Sequence, residues 1–191
     1  MKTDHILNCS KLSIGYKPRV IAADLSFNLS AGELLVIKGS NGSGKSTLIK
    51  TILNELEPLT GSFNWNIEPS EIAYLPQVSY SQQNFSYTVN EILGLYDLKP
   101  WLLEEVPEAL KQKKWIELSG GERQRVLFIT RIDEQKKIAI LDEPFNHLDK
   151  NSVKLLSKLI NQALARNIAV ILVSHQKPDS LSVASLEVSL A

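Results

Sequence analysis

The chain has a single cysteine, Cys9, among 191 residues, so no disulfide can form within it. That fits a reducing compartment, and Cys9 itself reads as a small apolar residue of an early strand rather than a reactive thiol. Charge of one sign is also missing: 21 Lys and Arg face 21 Asp and Glu. This balance gives no electrostatic reason to expect nucleic acid or an anionic membrane as the main partner, and no nucleic acid is expected. Long hydrophobic runs are absent. The longest, such as "IAVILV" at 168–173, fall far short of the roughly 20 residues that span a bilayer. The start, "MKTDHILNCSKLSIGY", has no apolar core of a secretory signal. A cytoplasmic protein is expected, with any work at a membrane carried there by another chain. No internal repeat or low-complexity tract is present, and the length suits one domain with at most a small insert.

What is present is an ordered series of strand and helix patterns. "ILNCSKLSIGY" and "VIAADLSFNLS" alternate as strands around a break at Pro18. "AGELLVIKG" reads as a buried strand, and "KSTLIKTILNEL" has apolar residues at helical spacing up to Pro58. "EIAYLPQ" is a further strand. From 78 the chain turns polar and aromatic, with "TVNEILGLYDL" and "LLEEVPEALKQ" as helices of a small insert at about 78–130 that runs into the helix "GGERQRVLFITRI". Strand "KIAILDEP", helix "KNSVKLLSKLINQALARN", strand "IAVILVSH" and edge strand "LEVSLA" complete the series. The late alternation of strand and helix implies a parallel sheet with crossovers.

The chemistry-bearing residues sit where these strands end. "GSNGSGKS", Gly39 to Ser46, fits G-x-x-x-x-G-K-[ST] between a strand and a helix. Its glycines let backbone N–H groups turn inward around phosphates, and the helix N-terminus adds a favourable dipole. Lys45 reaches for terminal phosphates and the Ser46 hydroxyl suits Mg²⁺. "KIAILDEP" puts Asp142 and Glu143 at the end of a buried strand, the ligand side of a parallel sheet. Asp142 suits Mg²⁺ and Glu143 suits polarising an attacking water. Gln77 and His175 end two other strands, and Tyr16 ends the first. Each of these three, taken alone, fits a structural role better than a functional one.

In the order Tyr16, "GSNGSGKST", Gln77, "LSGGERQR", "ILDEP", "NHLD", His175, the chain closely resembles the nucleotide-binding domain of ATP-binding cassette (ABC) proteins over nearly its whole length. The resemblance implies an α/β P-loop NTPase fold of ABC type, with a mostly parallel core sheet, an N-terminal antiparallel β subdomain and a small helical insert. It implies ATP and Mg²⁺ as cofactors and hydrolysis of ATP. Tyr16 matches the aromatic that stacks on adenine, and Gly39, Ser40, Asn41, Gly42, Ser43, Gly44, Lys45, Ser46 and Thr47 match the phosphate loop. Gln77 matches the glutamine that senses Mg²⁺ and water. Ser119, Gly120 and Gly121 match the signature loop, and Asp142 and Glu143 the Mg²⁺ aspartate and catalytic glutamate. Asp149 matches the loop that crosses the dimer interface, and His175 the switch histidine.

The implied partners are a second nucleotide-binding subunit, with a homodimer expected, and a separate multi-span membrane transporter subunit. The expected location is the cytoplasmic face of the inner membrane, peripherally bound. Only 42 residues separate Gln77 from Ser119, a compact insert for this family, and no C-terminal regulatory domain is expected after His175. "AYLPQ", "FSYTVNEILGLY" and "LDEPF" resemble the metal-ion, zinc-type import branch, while the short chain also suits a small haem-related exporter. "NHLD" resembles the ABC-F translation factors, which carry two cassettes and a charged linker where this chain has one cassette and no linker. A soluble ABC ATPase working on a ribosome or scaffold is therefore the second reading. A P-loop kinase or GTPase is disfavoured by "LSGGE" and by the absence of N-K-x-D.

Overall fold

A computed structural model describes residues 5–77, 86–175, 177–181 and 183–190. The chain begins with β1 (His5–Tyr16) and β2 (Arg19–Ser30), an antiparallel pair turned at Lys17 and Pro18. Next come β3 (Leu34–Gly39), α1 (Lys45–Ile52), β4 (Thr60–Trp65) and β5 (Ile72–Leu75). The insert holds three short helices, α2 (Val89–Leu93), α3 (Pro100–Leu103) and α4 (Glu108–Lys111). Then follow α5 (Gly120–Arg131), β6 (Ile138–Asp142), α6 (Lys150–Ala165), β7 (Ala169–Val173) and β8 (Ser185–Leu190).

Two sheets form. β2-β1-β4 is antiparallel, and β5-β6-β7-β3-β8 is parallel at every pairing. The expected α/β architecture is thus observed, including the edge position of β8. β6 and β7 are buried along their whole length, which is why they read as unbroken apolar runs. Successive side chains point to opposite faces. Leu35, Ile37, Ile140 and Ile171 pack toward α1 and the antiparallel sheet, whereas Leu34, Val36, Leu141 and Leu172 pack toward α5, α6 and the insert. Cys9 belongs to the first of these cores, and burial pushes its thiol up to about 12, so it is an inert packing group.

Three expectations are corrected. α1 stops at Ile52 rather than running on toward Pro58. Asn54 adopts φ +61°, its N–H donates to Thr51 O (3.0 Å) and the Glu55 N–H donates to Lys50 O (2.8 Å), a left-handed helix stop that Asn tolerates. "LLEEVPEALKQ" is not one helix but parts of α3 and α4, because Pro107 lacks the N–H that a continuing helix needs. "TVNEILGLYDL" is helical only over α2, which Thr88 and Glu91 open with a reciprocal cap and Gly94 closes. Strand β4 has no counterpart among the elements the sequence pattern predicts. "TGSFNW" has no clear period, and it becomes a strand by pairing with β1, Cys9 opposite Phe63 and Leu7 opposite Trp65. Residues 78–85, the expected opening of the insert, lie outside the described residues.

The insert is tied to α6. Between α3 and α4, the Glu105 carboxylate accepts from Lys158 (2.7 and 2.8 Å) and from Gln162 (2.9 Å). The Arg166 guanidinium lies 4.5 Å from the centre of the Trp101 ring. Burial disfavours the charged form of Glu105. The hydrogen bonds from Lys158 and Gln162, with the Lys158 and Arg125 charges, outweigh it and hold the carboxyl below its ordinary range. A lowered folded pKa stabilises the fold above the unfolded value, and that contribution disappears as pH falls through the folded one. Glu105→Ala should therefore cost about 0.5–1 kcal/mol at neutral pH, since the pair is partly solvated. In thermal melts across pH, the gap between wild type and variant should close as the pH drops below the carboxylate range.

Candidate functional site

Four strands of the parallel sheet deliver side chains at their C-terminal ends. β3 runs into the loop 39–44 and then α1. The turn depends on glycine: Gly42 has φ +83° and Gly44, the residue before α1, has φ +103°. At Gly44 a Cβ would also lie 2.4 Å from Ile21 Cγ2, so the β1–β2 hairpin packs directly under the loop. Lys45, 6% exposed, curls back over this loop and donates to the carbonyl oxygens of Gly39 (2.8 Å) and Ser40 (3.0 Å).

β6 carries the acidic pair. Asp142 is 8% exposed; burial, then the neighbouring Glu143, raise its carboxyl above its ordinary range against the pull of Lys45. Glu143 leaves the strand at φ +49°, an uncommon conformation for a residue with a Cβ. Its N–H donates to Val173 O of β7 (2.9 Å), which fixes the departure. The carboxylate then meets four groups. Lys45 Nζ stands 3.5 Å from Oε1 and His175 Nε2 3.6 Å from the same oxygen. Gln77 Nε2 donates to Oε2 (3.3 Å), as does Asn146 Nδ2.

These groups line one open cleft of about 750 Å³, together with Asn41, Gly42, Gly44, Ser46, Thr47 and His147. That volume lies in the range of small-molecule and cofactor sites. It joins a loop rich in N–H donors, a buried ammonium, a carboxylate for polarising water, and an imidazole and an amide at the rim. Such an arrangement can hold a polyphosphate and activate water against it.

Not every expected residue reaches the cleft. Gly39, Ser40 and Ser43 shape the loop behind it: a Cβ on Gly39 would lie 2.2 Å from Ser43 Oγ. Tyr16 does not line it; it is 51% exposed on the β1–β2 hairpin, two residues from Ile14, whose side chain borders Gly44. Ser119, Gly120, Gly121 and Asp149 also stand outside. Ser119 caps α5: its hydroxyl accepts the Glu122 N–H (3.2 Å), and Glu122 accepts the Ser119 N–H (2.8 Å). Asp149 caps α6 by accepting from the N–H groups of Asn151 and Ser152. Asn146 and His147 are the additions. Both precede Asp149 in the "NHLD" turn, and their closeness in sequence to the acidic pair is the signal that points to them.

Comparison with known proteins agrees with this geometry. The ABC transporter family model (ABC_tran) matches residues 22–146. The chain is 33% identical over 178 residues to the zinc import ATP-binding protein ZnuC of Photorhabdus laumondii, covering 89% of this chain and 68% of that protein. It is 30% identical over 212 residues to the cytochrome c biogenesis ATP-binding export protein CcmA of Mannheimia succiniciproducens, covering 99% and 96%. Among solved structures it resembles cbiO1 of Clostridium perfringens, part of the ABC transporter complex cbiONQ. That similarity has a TM-score of 0.76 at 26% identity, over 91% of this chain and 79% of that one. With phosphate-loop residues, Glu143 and the rim residues gathered in one cleft, and Asp142 buried at the strand end beside it rather than lining it, the chain belongs to the ABC transporter family as one of its ATP-binding, ATP-hydrolysing subunits.

Proposed function

We propose that this subunit closes with a second copy of itself around two ATP molecules and drives a separate membrane-spanning transporter subunit. The observation that carries the reading is the meeting of Lys45, Gln77, Asn146 and His175 on the Glu143 carboxylate at the edge of the phosphate loop. Loop N–H groups and Lys45 take the phosphates, Glu143 orients and deprotonates the attacking water, and His175 and Gln77 meet the terminal phosphate and that water. Tyr16 supplies an aromatic surface for the base from the hairpin beside the loop.

The Ser46 hydroxyl, the Asp142 carboxylate and the Gln77 amide are hard oxygen donors of the kind Mg²⁺ takes. Among the described residues no group of three or more His, Cys, Asp or Glu could hold a metal by itself. Phosphate oxygens and water would complete the shell, as is usual for Mg²⁺. Bound there, the ion neutralises charge on the phosphates.

Ser119, Gly120, Gly121 and Asp149 lie outside the cleft of their own chain. This supports a two-fold assembly in which they close on the nucleotide of the other copy. For the membrane subunit, the insert offers a groove of about 310 Å³ lined by Tyr87, Ile92, Leu95, Tyr96 and Trp115. Leu95 is 77% exposed there and Tyr87 58%, an apolar rim of the sort that marks docking surfaces. No helix among the described residues is long and apolar enough to cross a membrane. The reading therefore needs a partner chain and puts this one at the cytoplasmic face of the membrane. Metal ions are the substrate class we attach to it, on the likeness to the zinc import ATPases. Export of the kind named for CcmA is the second reading, supported by a match over 96% of that relative.

Glu143→Gln should retain ATP binding and slow hydrolysis about 10²- to 10⁴-fold, with ATP-dependent dimer visible by size exclusion; wild-type turnover would overturn the assignment of the base. Asp142→Asn should abolish hydrolysis yet leave the nucleotide-free melting temperature unchanged or higher, because it removes a buried charge that faces Glu143. Purification from membranes should bring down a multi-span protein, and recovery only with ribosomes or soluble scaffolds would refute the transporter reading.

A further inference from the structure

Two adjacent glycines open α5, and their surroundings differ. A Cβ on Gly120 would meet nothing within 4 Å. A Cβ on Gly121 would lie 2.0 Å from Ser152 Oγ and 2.4 Å from Ser152 Cβ, well inside any permitted contact. The conflict is with a side chain on the first turn of α6, so only a residue without a side chain fits at position 121. Gly121 shows no left-handed φ, and its need for glycine is therefore one of approach and not of backbone freedom.

Ser152 faces both ways. Its hydroxyl donates to Asp149 Oδ2 (2.7 Å), while Asp149 Oδ1 accepts the N–H groups of Asn151 (2.9 Å) and Ser152 (3.0 Å). The same side chain fills the space over Gly121. The N-termini of two helices thus meet, with two positive dipole ends close together. Each end carries its own carboxylate, Glu122 on α5 and Asp149 on α6, which offsets the repulsion.

We propose that Ser152 is a positioning residue, the joint that locks the loop 119–121 to the turn 146–149. Gly121 is glycine in order to seat Ser152, and Gly120 is the glycine left open to a partner. A shift at Asn146, which holds the Glu143 carboxylate, then passes through Asp149 and Ser152 to Ser119–Gly121 without slack, because a packed contact transmits displacement. The cleft of one ATP is in this way tied to the loop that closes on the other. This consequence rests on the two-copy reading above, whereas the packing itself does not.

The test is a double-variant cycle in the full chain, Gly121→Ala, Ser152→Gly and both together, followed by thermal melting, ATP affinity and Mg²⁺-ATP turnover. Gly121→Ala should lower Tm by about 5 °C through overpacking. It should also cut kcat about 10- to 100-fold through misplacement of the loop, while the ATP affinity of the single subunit holds, since no residue of its own cleft changes. Ser152→Gly in that background should bring both Tm and kcat back to the level of Ser152→Gly alone. Additive losses would overturn the joint and assign Gly121 to a contact outside its own chain; a Gly121→Ala protein that melts and turns over like wild type would overturn it equally. Absence of Lys45-dependent hydrolysis in the unaltered chain would sink the functional reading, and the melting cycle would still decide the joint.

Discussion

The cleft depends on the register of β6 against β7 and of β7 against β3. Leu141 lies opposite Leu172, Asp142 opposite Val173, and Val173 opposite Ile37. That alignment brings the end of the acidic strand level with the start of the phosphate loop. A slip of one residue would send every buried side chain of β6 to the wrong face, so the apolar packing on both faces pins the geometry of the cleft as well. The Glu143 N–H to Val173 bond is the last rung of this ladder, and it aims the carboxylate while the backbone turns through a left-handed conformation.

Electrostatics then distribute the roles of two adjacent acids. Asp142 is sealed in the sheet, and its burial and the neighbouring charge push it toward the neutral form. Glu143 projects into the cleft among an ammonium, an imidazole and two amides. Sequence neighbours thereby sit in different surroundings, one buried at the end of the sheet and one open to the cleft. The same economy operates around α5 and α6, where Glu122 and Asp149 each satisfy N–H groups that begin a helix and counter its dipole.

Much of this was legible in the chain. Buried strands announce themselves as "LLVIKG", "KIAIL" and "IAVILV", and the residues that follow each run had to gather at one edge of a parallel sheet. The phosphate loop carries its own conformational demand in its glycines. Less legible were elements whose formation depends on distant partners. β4 has no period of its own and exists because β1 offers it an edge. The insert helices are cut by Pro107 and Gly94 into turns too short to stand alone, and they hold through burial of Leu102, Leu110 and Trp115.

The sequence by itself determined the chemistry: which strands would be buried, which residues would end them, and that a P-loop, an acidic pair and a signature loop share one chain. Only the tertiary structure decided which of those residues meet. Lys45, Gln77, Glu143 and His175 come together across 130 residues of chain, while Ser119 to Gly121 and Asp149 lie outside that cleft, joined through Ser152. The physical reason is that local patterns fix backbone period and conformation, whereas distances between strand ends and helix starts are set by packing, and "SGG" looks the same whether its second glycine faces solvent or a serine 31 residues on.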